Sequence, residues 1–207
     1  MTPNISEHDV CEQIKRSKKT KPGVPGDLPK KILQMLPQEM SKPVTEIFKK
    51  MLATKQWPAM WTTEYGLPLQ KQKNPANENN LRIISLTPFF SKTFESFVIK
   101  WLIEFIGDKI DPKQFGGQKG SSITYYLIEF INFLLYNQDM KNPCAVLALM
   151  ANFRKAFNRQ NHSILITILS DMGVPGWLLE IVIAFLTDRE LIVTHKGVNS
   201  ERKPTGD

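Results

Sequence analysis

The 207-residue chain has few of the residues that stabilise small proteins through metals or disulfides. Cys11 and Cys144 are its only cysteines, and its three histidines stand apart from one another. A structural zinc site needs four suitably spaced Cys or His ligands, and a disulfide scaffold needs several cysteine pairs, so both classes are excluded. So few cysteines fit a reducing, intracellular setting best.

Long apolar runs are also missing from the sequence. No stretch approaches the roughly 18 consecutive apolar residues that a membrane-spanning helix needs. The beginning of the chain is polar and charged, which is not typical of a secretory signal peptide. We therefore expect an intracellular protein without a membrane segment. Hydrophobic residues make up 42% of the chain, and this ordinary globular usage indicates a folded core.

Positive charge is unevenly placed along the chain. Residues 1–73 hold 13 of the 27 Lys and Arg against 7 of the 20 Asp and Glu. The densest cationic stretch contains Lys15, Arg16, Lys18, Lys19 and Lys21. This asymmetry indicates either a polyanionic partner such as nucleic acid or the solvated, lysine-rich end of a helix.

Apolar residues at helical spacing predict several helices. Ser6 and Asp9 are expected to form the capping box of the first one. Another is expected to carry Pro43 in its first turn, where proline is well tolerated. The predicted helices cover about residues 6–18, 44–52, 94–106, 123–135, 163–172 and 177–187.

Strand patterns are fewer. Residues 65–73 and 81–86 predict a hairpin, and a second hairpin is expected from residue 190 onward. Residues 144–151 form a continuous apolar run that predicts a buried strand. The order of elements indicates an α+β fold, in which helices dominate the first two thirds and the strands form a small antiparallel sheet.

A polar stretch follows the predicted buried strand, and catalytic residues often lie at such a place. Asn152 stands where a phosphoryl-transfer site would need a carboxylate, because magnesium ions prefer anionic oxygen ligands. The cations Arg154, Lys155 and Arg159 suit contacts with phosphate. The alternative is an ordinary connection between a strand and a helix, with solvated charges.

Eight short motifs follow one another along almost the whole chain. Residues 68–71 read Pro-Leu-Gln-Lys, and residues 81–86 are close to Arg-Pro-Ile-Ser-Leu, with Ile83 in place of the proline. Residues 152–158 are close to a motif that reads Asp, two variable residues, Lys, Ala, Phe, Asp. The full set comprises residues 22–29, 57–61, 68–71, 81–86, 91–95, 114–122, 152–158 and 173–189. Because these motifs occur in this order, the chain resembles the reverse transcriptase domain of non-LTR (LINE-type) retrotransposons.

The resemblance implies a right-hand polymerase-like fold, with a fingers-like region at residues 1–140 and a partial palm at residues 141–207. Such enzymes extend a DNA primer along an RNA template from deoxynucleoside triphosphates, with two Mg²⁺ ions held by palm aspartates. By resemblance, Asn152 takes the position of the first catalytic aspartate. The backbone carbonyl of Phe153 takes the position of a further metal ligand.

The resemblance also implies contacts with nucleotide and nucleic acid. Lys71 and Arg82 correspond to the fingers cations that grip the incoming triphosphate. Phe157 corresponds to the aromatic gate that selects deoxynucleotides. The template path would include three lysines by analogy: Lys18, Lys19 and Lys21. Each residue also has a purely structural alternative: a surface cation for the lysines and the arginine, and core packing for Phe157.

Two departures from the family pattern weigh against catalysis. Asn152 offers a neutral amide where the family has an essential aspartate, and the chain contains no Asp-Asp pair, whereas the family continues with an Ala-Asp-Asp strand turn and a thumb. We therefore expect a reverse transcriptase fragment that is inactive alone and does not bind Mg²⁺ productively. The rival interpretation is a non-catalytic nucleic-acid-binding remnant, and a third is the product of a decayed pseudogene.

Overall fold

The computed structural model of the chain describes residues 3–17, 23–71, 73, 80–118, 120–141, 145–153, 156 and 160–205. Its α-helices are α1 (Glu7–Arg16), α2 (Lys30–Met35), α3 (Pro37–Thr54), α4 (Ala59–Thr62), α5 (Phe89–Ile106), α6 (Ile123–Gln138), α7 (His162–Asp171) and α8 (Gly176–Leu186). Its strands are β1 (Thr63–Gln70), β2 (Leu81–Leu86), β3 (Arg189–His195), β4 (Val198–Asn199) and β5 (Lys203–Thr205). The fold is thus a mixed α/β fold with a small sheet. Within these residues, no helix is both long and apolar enough to cross a membrane.

The start of α1 is confirmed in detail. The Ser6 hydroxyl accepts a hydrogen bond from the Asp9 amide at 3.1 Å, and the Asp9 carboxylate accepts one from the Ser6 amide at 3.3 Å. This reciprocal capping box satisfies two amides that have no partner inside the helix. Ile5 and Val10, on either side of the box, are both buried and fix α1 to the core.

The prediction for Pro43 is wrong. Pro37 occupies the first turn of α3, and Pro43 lies inside the helix, on its exposed side. The helix therefore begins six residues before Pro43. A proline in a helix interior removes one backbone hydrogen bond, but Val44 and Phe48 bury the opposite side of α3 in the core. Tertiary packing of α3 thus outweighs the preference of proline for the first turn of a helix.

The hydrophobic core lies between α1, α3, α5 and the α7–α8 pair. The predicted buried face of α5 is confirmed at Phe94, Phe97, Val98 and Trp101. Aromatic rings join the helices, with Phe94 of α5 against Phe48 of α3 at 5.1 Å between ring centroids. Trp101 of α5 contacts the Trp177 ring of α8 at 5.7 Å. The core thus contains residues from both ends of the chain.

The sheet has the strand order β2-β1-β3-β4, and β5 also pairs with β3. Both predicted hairpins are present, as antiparallel β1–β2 and β3–β4. The expectation of a purely antiparallel sheet is wrong, because β1 and β3 are parallel. Parallel neighbours need a long crossover, and here everything from β2 to α8 lies between the two strands. The sheet is therefore mixed.

The predicted buried strand at 144–151 is also wrong over its described residues. Cys144 lies outside the described residues, and residues 145–151 have no regular secondary structure. Leu147 is 97% exposed and Leu149 is 93% exposed. A continuous apolar strand is stable only when neighbouring strands and two covering layers bury it, and none of the described strands pairs with this run.

The helix predicted at 123–135 forms as α6, but its predicted buried face is exposed. None of the residues of α6 is buried. Tyr126 stacks on Phe130 within the helix and contacts Phe115 in the preceding turn. The helical pattern therefore correctly predicted the secondary structure of α6. It did not predict the exposure of the helix, because burial depends on whether another element packs against it.

The fingers-like region at 1–140 and the partial palm at 141–207 stay predictions. Elements from both ranges contribute to one hydrophobic cluster, with Phe94 from the first and Leu178 from the second. They also share the sheet, through the parallel pair of β1 and β3.

Candidate functional site

The β1–β2 hairpin carries two of the predicted site residues. Its register pairs Leu69 with Arg82 and Gln70 with Leu81. The ladder continues one step beyond β1, where the Lys71 amide donates a hydrogen bond to the Asn80 carbonyl at 2.8 Å. Lys71 therefore lies directly after the end of β1, whereas the sequence pattern predicted a strand that runs to residue 73.

Lys71 and Arg82 lie on the same face of this hairpin. Residues two apart in a strand share a face, so Lys71 shares the face of Leu69, and Arg82 is the direct partner of Leu69. The two cations are diagonal neighbours, a relation in which residues are typically about 7–8 Å apart and their Cβ atoms somewhat closer. Both residues are exposed. The hairpin can therefore present two adjacent positive charges to an anion in solution.

The base of the hairpin is joined tightly to β3. The Glu64 carboxylate of β1 accepts hydrogen bonds from Nε of Arg189 at 2.8 Å and from its Nη2. Arg189 is only 7% exposed, donates from Nη1 to the Phe185 carbonyl at 3.2 Å and stacks on the Phe185 ring. Both nitrogens donate to the same oxygen, Oε1 of Glu64, and these charge-assisted hydrogen bonds link β1 to β3.

A third ionisable group belongs to this cluster. Burial raises the pKa of the Glu95 carboxyl of α5 above its ordinary value, because desolvation disfavours the charged form. The hydrogen bond from the Ser91 hydroxyl, at 3.1 Å, and the charges of Arg189 and Lys92 act in the opposite direction. The guanidinium of Arg189 therefore influences both Glu64 and Glu95, and α5 is coupled electrostatically to the base of the hairpin.

Sequence reasoning missed the pairing of Glu64 with Arg189. The two residues are 125 positions apart, and no local pattern connects them. A glycine in the same part of β1 is also significant. A Cβ atom on Gly66 would lie 2.7 Å from Cγ2 of Ile83 and 3.1 Å from Cδ1 of Leu191, so the strands approach closely only because this residue has no side chain.

Asn152 and Phe153 belong to none of the described strands. Both are exposed, and both belong to the irregular stretch that follows residue 144. No strand pairing connects them with the hairpin in the described part of the chain. The structure therefore places Lys71 and Arg82 on one hairpin, whereas Asn152 and Phe153 are part of no strand pairing with it.

The residues present do not fit a pair of magnesium ions. Within the described ranges, no group of three or more His, Cys, Asp or Glu side chains could hold a metal ion. Asn152 contributes a neutral amide oxygen, whereas Mg²⁺ sites rely on carboxylates and phosphates. The Mg²⁺ chemistry implied by the resemblance has no suitable set of ligands among these side chains.

The remaining predicted residues lie outside the described residues: Phe157, the three lysines Lys18, Lys19 and Lys21, and the three candidate phosphate contacts Arg154, Lys155 and Arg159. The helix before the three lysines ends with two exposed cations, Lys15 and Arg16. Lys15 is paired with Glu12 at 3.0 Å. The end of α1 is therefore cationic and exposed.

Comparison with known proteins adds no family to these observations. The chain matches no family model, and no curated protein matches it either.

Proposed function

We propose that the chain is a reverse-transcriptase-like fingers region with the first part of a palm, and that it binds nucleotide phosphates and nucleic acid without catalysing polymerisation. The observation that carries the proposal is the pair Lys71 and Arg82, exposed on one face of the β1–β2 hairpin. Two cations beside a triphosphate form charge-assisted hydrogen bonds. The order of the sequence motifs, through the resemblance to reverse transcriptases, indicates that this ligand is a deoxynucleoside triphosphate.

The chemistry of the other predicted residues supports binding rather than catalysis. Asn152 replaces the carboxylate that the family uses as a metal ligand, and no Asp-Asp pair occurs in the sequence. Primer extension on an RNA template with Mg²⁺ should therefore give no product. Asn152→Asp should not restore activity, since one carboxylate does not complete a two-metal site. Clear extension by either protein would contradict the proposal.

The binding function is tested with a matched pair of double variants. Lys71→Ala/Arg82→Ala should weaken binding of a fluorescent deoxynucleoside triphosphate about tenfold or more, because each charge-assisted hydrogen bond contributes about 1.5–3 kcal/mol. Lys42→Ala/Lys50→Ala removes the same charge from exposed positions of α3 and should leave affinity nearly unchanged. Equal losses in the two variants would show a nonspecific charge effect and contradict the assignment.

A second candidate, the non-catalytic nucleic-acid-binding remnant, is favoured by the cationic end of α1. It predicts binding of single-stranded nucleic acid that depends on Lys15, Arg16 and the lysines that follow, and not on the hairpin. For single strands, each cation that neutralises a phosphate contributes about 0.7 to the salt slope. Fluorescence anisotropy over a salt series tests the second candidate, under which Lys15→Ala/Arg16→Ala reduces the slope by about 1.4 and Lys71→Ala/Arg82→Ala leaves it unchanged. Under the first candidate, Lys71→Ala/Arg82→Ala instead weakens the binding of the triphosphate, and this difference separates the two.

A further inference from the structure

A cleft opens between the end of α3, the short helix α4 and the second half of α8. The residues that line it lie within the ranges 55–62 and 180–188, and we name it the α8 cleft. Its volume is about 540 Å³, which is typical of sites for small molecules. One wall is the segment that leads from α3 into α4, and the other is a single face of α8.

The α8 wall has two carboxylates with apolar surface between them. Glu180, Ile183, Ala184 and Thr187 recur at intervals of three and four residues, so they share one helix face, and Asp188 follows. Both carboxylates are exposed, and Ile183 between them is 45% exposed. At 1.5 Å per residue, the backbone positions of Glu180 and Asp188 are about 10–12 Å apart along the helix axis.

Trp57 gives the opposite wall a fixed shape. Its indole Nε1 donates a hydrogen bond to the Ile181 carbonyl at 3.4 Å. The centroid of its ring lies 5.2 Å from that of Phe94 and 5.1 Å from that of Phe185. The wall is therefore formed before any ligand binds, which reduces the entropic cost of binding.

The ends of two helices add negative potential to the α8 cleft. Helix α3 ends directly before Lys55 and α8 ends two residues before Asp188, and a helix C-terminus carries about half a negative charge. Lys55 and Asp188 have left-handed φ angles of 56° and 52°, and they are two of the three non-glycine residues with positive φ in the described part of the chain. Neither Glu180 nor Asp188 forms an ion pair with a described residue.

Lys55 is the one cation among the described residues that line the α8 cleft. Its Nζ lies 5.9 Å from the centroid of the Trp177 ring, and its charge offsets the C-terminus of its own helix, α3. Two carboxylates and the end of α8 are left without such a partner. The whole chain carries a net charge of +7 and repels cations in general, so binding of a cation requires a local site such as this one.

We propose that the α8 cleft binds a linear aliphatic polyamine, with terminal ammonium groups at Glu180 and Asp188 and methylene groups over Ile183 and Ala184. An extended aliphatic chain advances about 1.25 Å per bond, so terminal nitrogens nine bonds apart are separated by about 11 Å. This length matches the separation of the two carboxylates along α8. A metal ion would use one carboxylate at a time and leave the apolar surface between them uncovered.

Isothermal titration calorimetry with spermidine, a polyamine of this length, tests the site. The unmodified chain should bind one spermidine with a Kd below about 1 mM. Glu180→Gln/Asp188→Asn should weaken binding about tenfold, because two ion pairs are lost. Asparagine tolerates the left-handed backbone at residue 188, and both side chains are exposed, so circular dichroism should show the variant folded.

The matched control is Glu104→Gln/Glu129→Gln. It removes the same charge from exposed positions of α5 and α6 and should leave the affinity for spermidine nearly unchanged. Lys71→Ala/Arg82→Ala should also leave it nearly unchanged, because the α8 cleft does not depend on the nucleotide-binding function proposed for the hairpin.

Two further comparisons test the length and the charge of the ligand. Butane-1,4-diamine, with five bonds between its nitrogens, spans only about 6 Å and should bind at least about threefold more weakly, because it cannot reach both carboxylates. Lys55→Gln should strengthen the binding of spermidine about threefold, since it removes the cation that competes with the ligand.

Four results would overturn the polyamine site. The first is no binding at millimolar spermidine, and the second is equal weakening by Glu180→Gln/Asp188→Asn and by Glu104→Gln/Glu129→Gln. The third is equal affinity for spermidine and butane-1,4-diamine. The fourth is full displacement of spermidine by an equal concentration of MgCl₂, which would identify a site for a metal ion instead.

Discussion

Helices α5 and α6 are equally apolar in sequence, yet α5 is largely buried and α6 is exposed. The first buries seven residues in the core, and the second buries none. The difference lies in their neighbours: α5 lies between α3 and α8, with aromatic rings on both sides, whereas α6 has no extensive contact with another described helix or strand. An apolar face determines that a helix can pack, and the surrounding elements determine whether it does.

The contrast between α5 and α6 is tested most directly by replacing one phenylalanine of each helix with alanine. Phe94 is 1% exposed and contacts the rings of Phe48, Trp57 and Trp101. Phe94→Ala should lower the free energy of unfolding by about 3–5 kcal/mol, because it removes buried surface and leaves a cavity. Urea denaturation followed by tryptophan fluorescence measures the loss.

Phe133→Ala is the matched control in α6. Phe133 is 56% exposed, so its loss should change stability by no more than about 0.5 kcal/mol. If both variants lost the same stability, α6 would be part of the packed core in solution, and the contrast between the two helices would not hold.

The second prediction compares a buried ion pair with an exposed one. Arg189→Met leaves the carboxylate of Glu64 without its cation in a nearly buried site and should cost about 3 kcal/mol. Arg202 forms an exposed pair with Glu190 at 3.3 Å, and Arg202→Met should cost less than about 1 kcal/mol. Thermal unfolding of the two variants gives the comparison; a loss in Arg202→Met as large as that in Arg189→Met would refute it.

A third prediction concerns the close approach of the strands. Gly66→Ala should destabilise the protein by about 1–3 kcal/mol, because the new Cβ would meet Ile83 and Leu191 inside the sheet. Gly116→Ala is the control, since its nearest neighbour is the Gln114 side chain at 3.9 Å. Guanidinium denaturation should show a lower midpoint only for Gly66→Ala. Equal midpoints for the two variants would mean that the strands can separate to accept a side chain.

The smallest expected effect is a change in the pH dependence of stability. The raised pKa of Glu95 means that its carboxyl keeps a proton in the folded state over a pH range where the unfolded chain has released it. The stability that the Glu95 carboxyl contributes is therefore fully present below its ordinary pKa of 4.5. This stability falls as pH rises toward the pKa that the carboxyl has in the folded protein.

Glu95→Gln should thus be more stable than the unmodified chain at neutral pH and equal to it at acidic pH. Denaturation midpoints between pH 4 and pH 8 measure the difference between the two proteins. A variant that is less stable at neutral pH would show that the attraction of Arg189 outweighs the burial of Glu95.

Local structure could be predicted well from the sequence where neighbouring residues make the interaction. The capping box of Ser6 and Asp9 joins residues three apart, and the β1–β2 and β3–β4 hairpins join adjacent strands. The same reasoning failed for residues 145–151, because an apolar run is a strand only when other strands are present to pair with it.

The candidate site likewise has one part that the sequence predicts and another that it does not. The position of Lys71 and Arg82 on one hairpin is a local property, and the sequence motifs were sufficient to predict it. Their relation to Asn152 depends on how distant segments meet, and none of the described strand pairings supplies that contact. The family motifs indicate which residues belong to a site, but they do not form the site by themselves.

The sequence by itself determined most of the longer helices and the two hairpins, because backbone hydrogen bonds, capping and apolar periodicity act over a few residues. Only the tertiary structure decided that β1 and β3 are parallel, that Arg189 meets Glu64, and that α5 is buried while α6 is exposed. Each of these depends on residues far apart in the chain, and their burial is a property of the surfaces that meet, not of either segment alone.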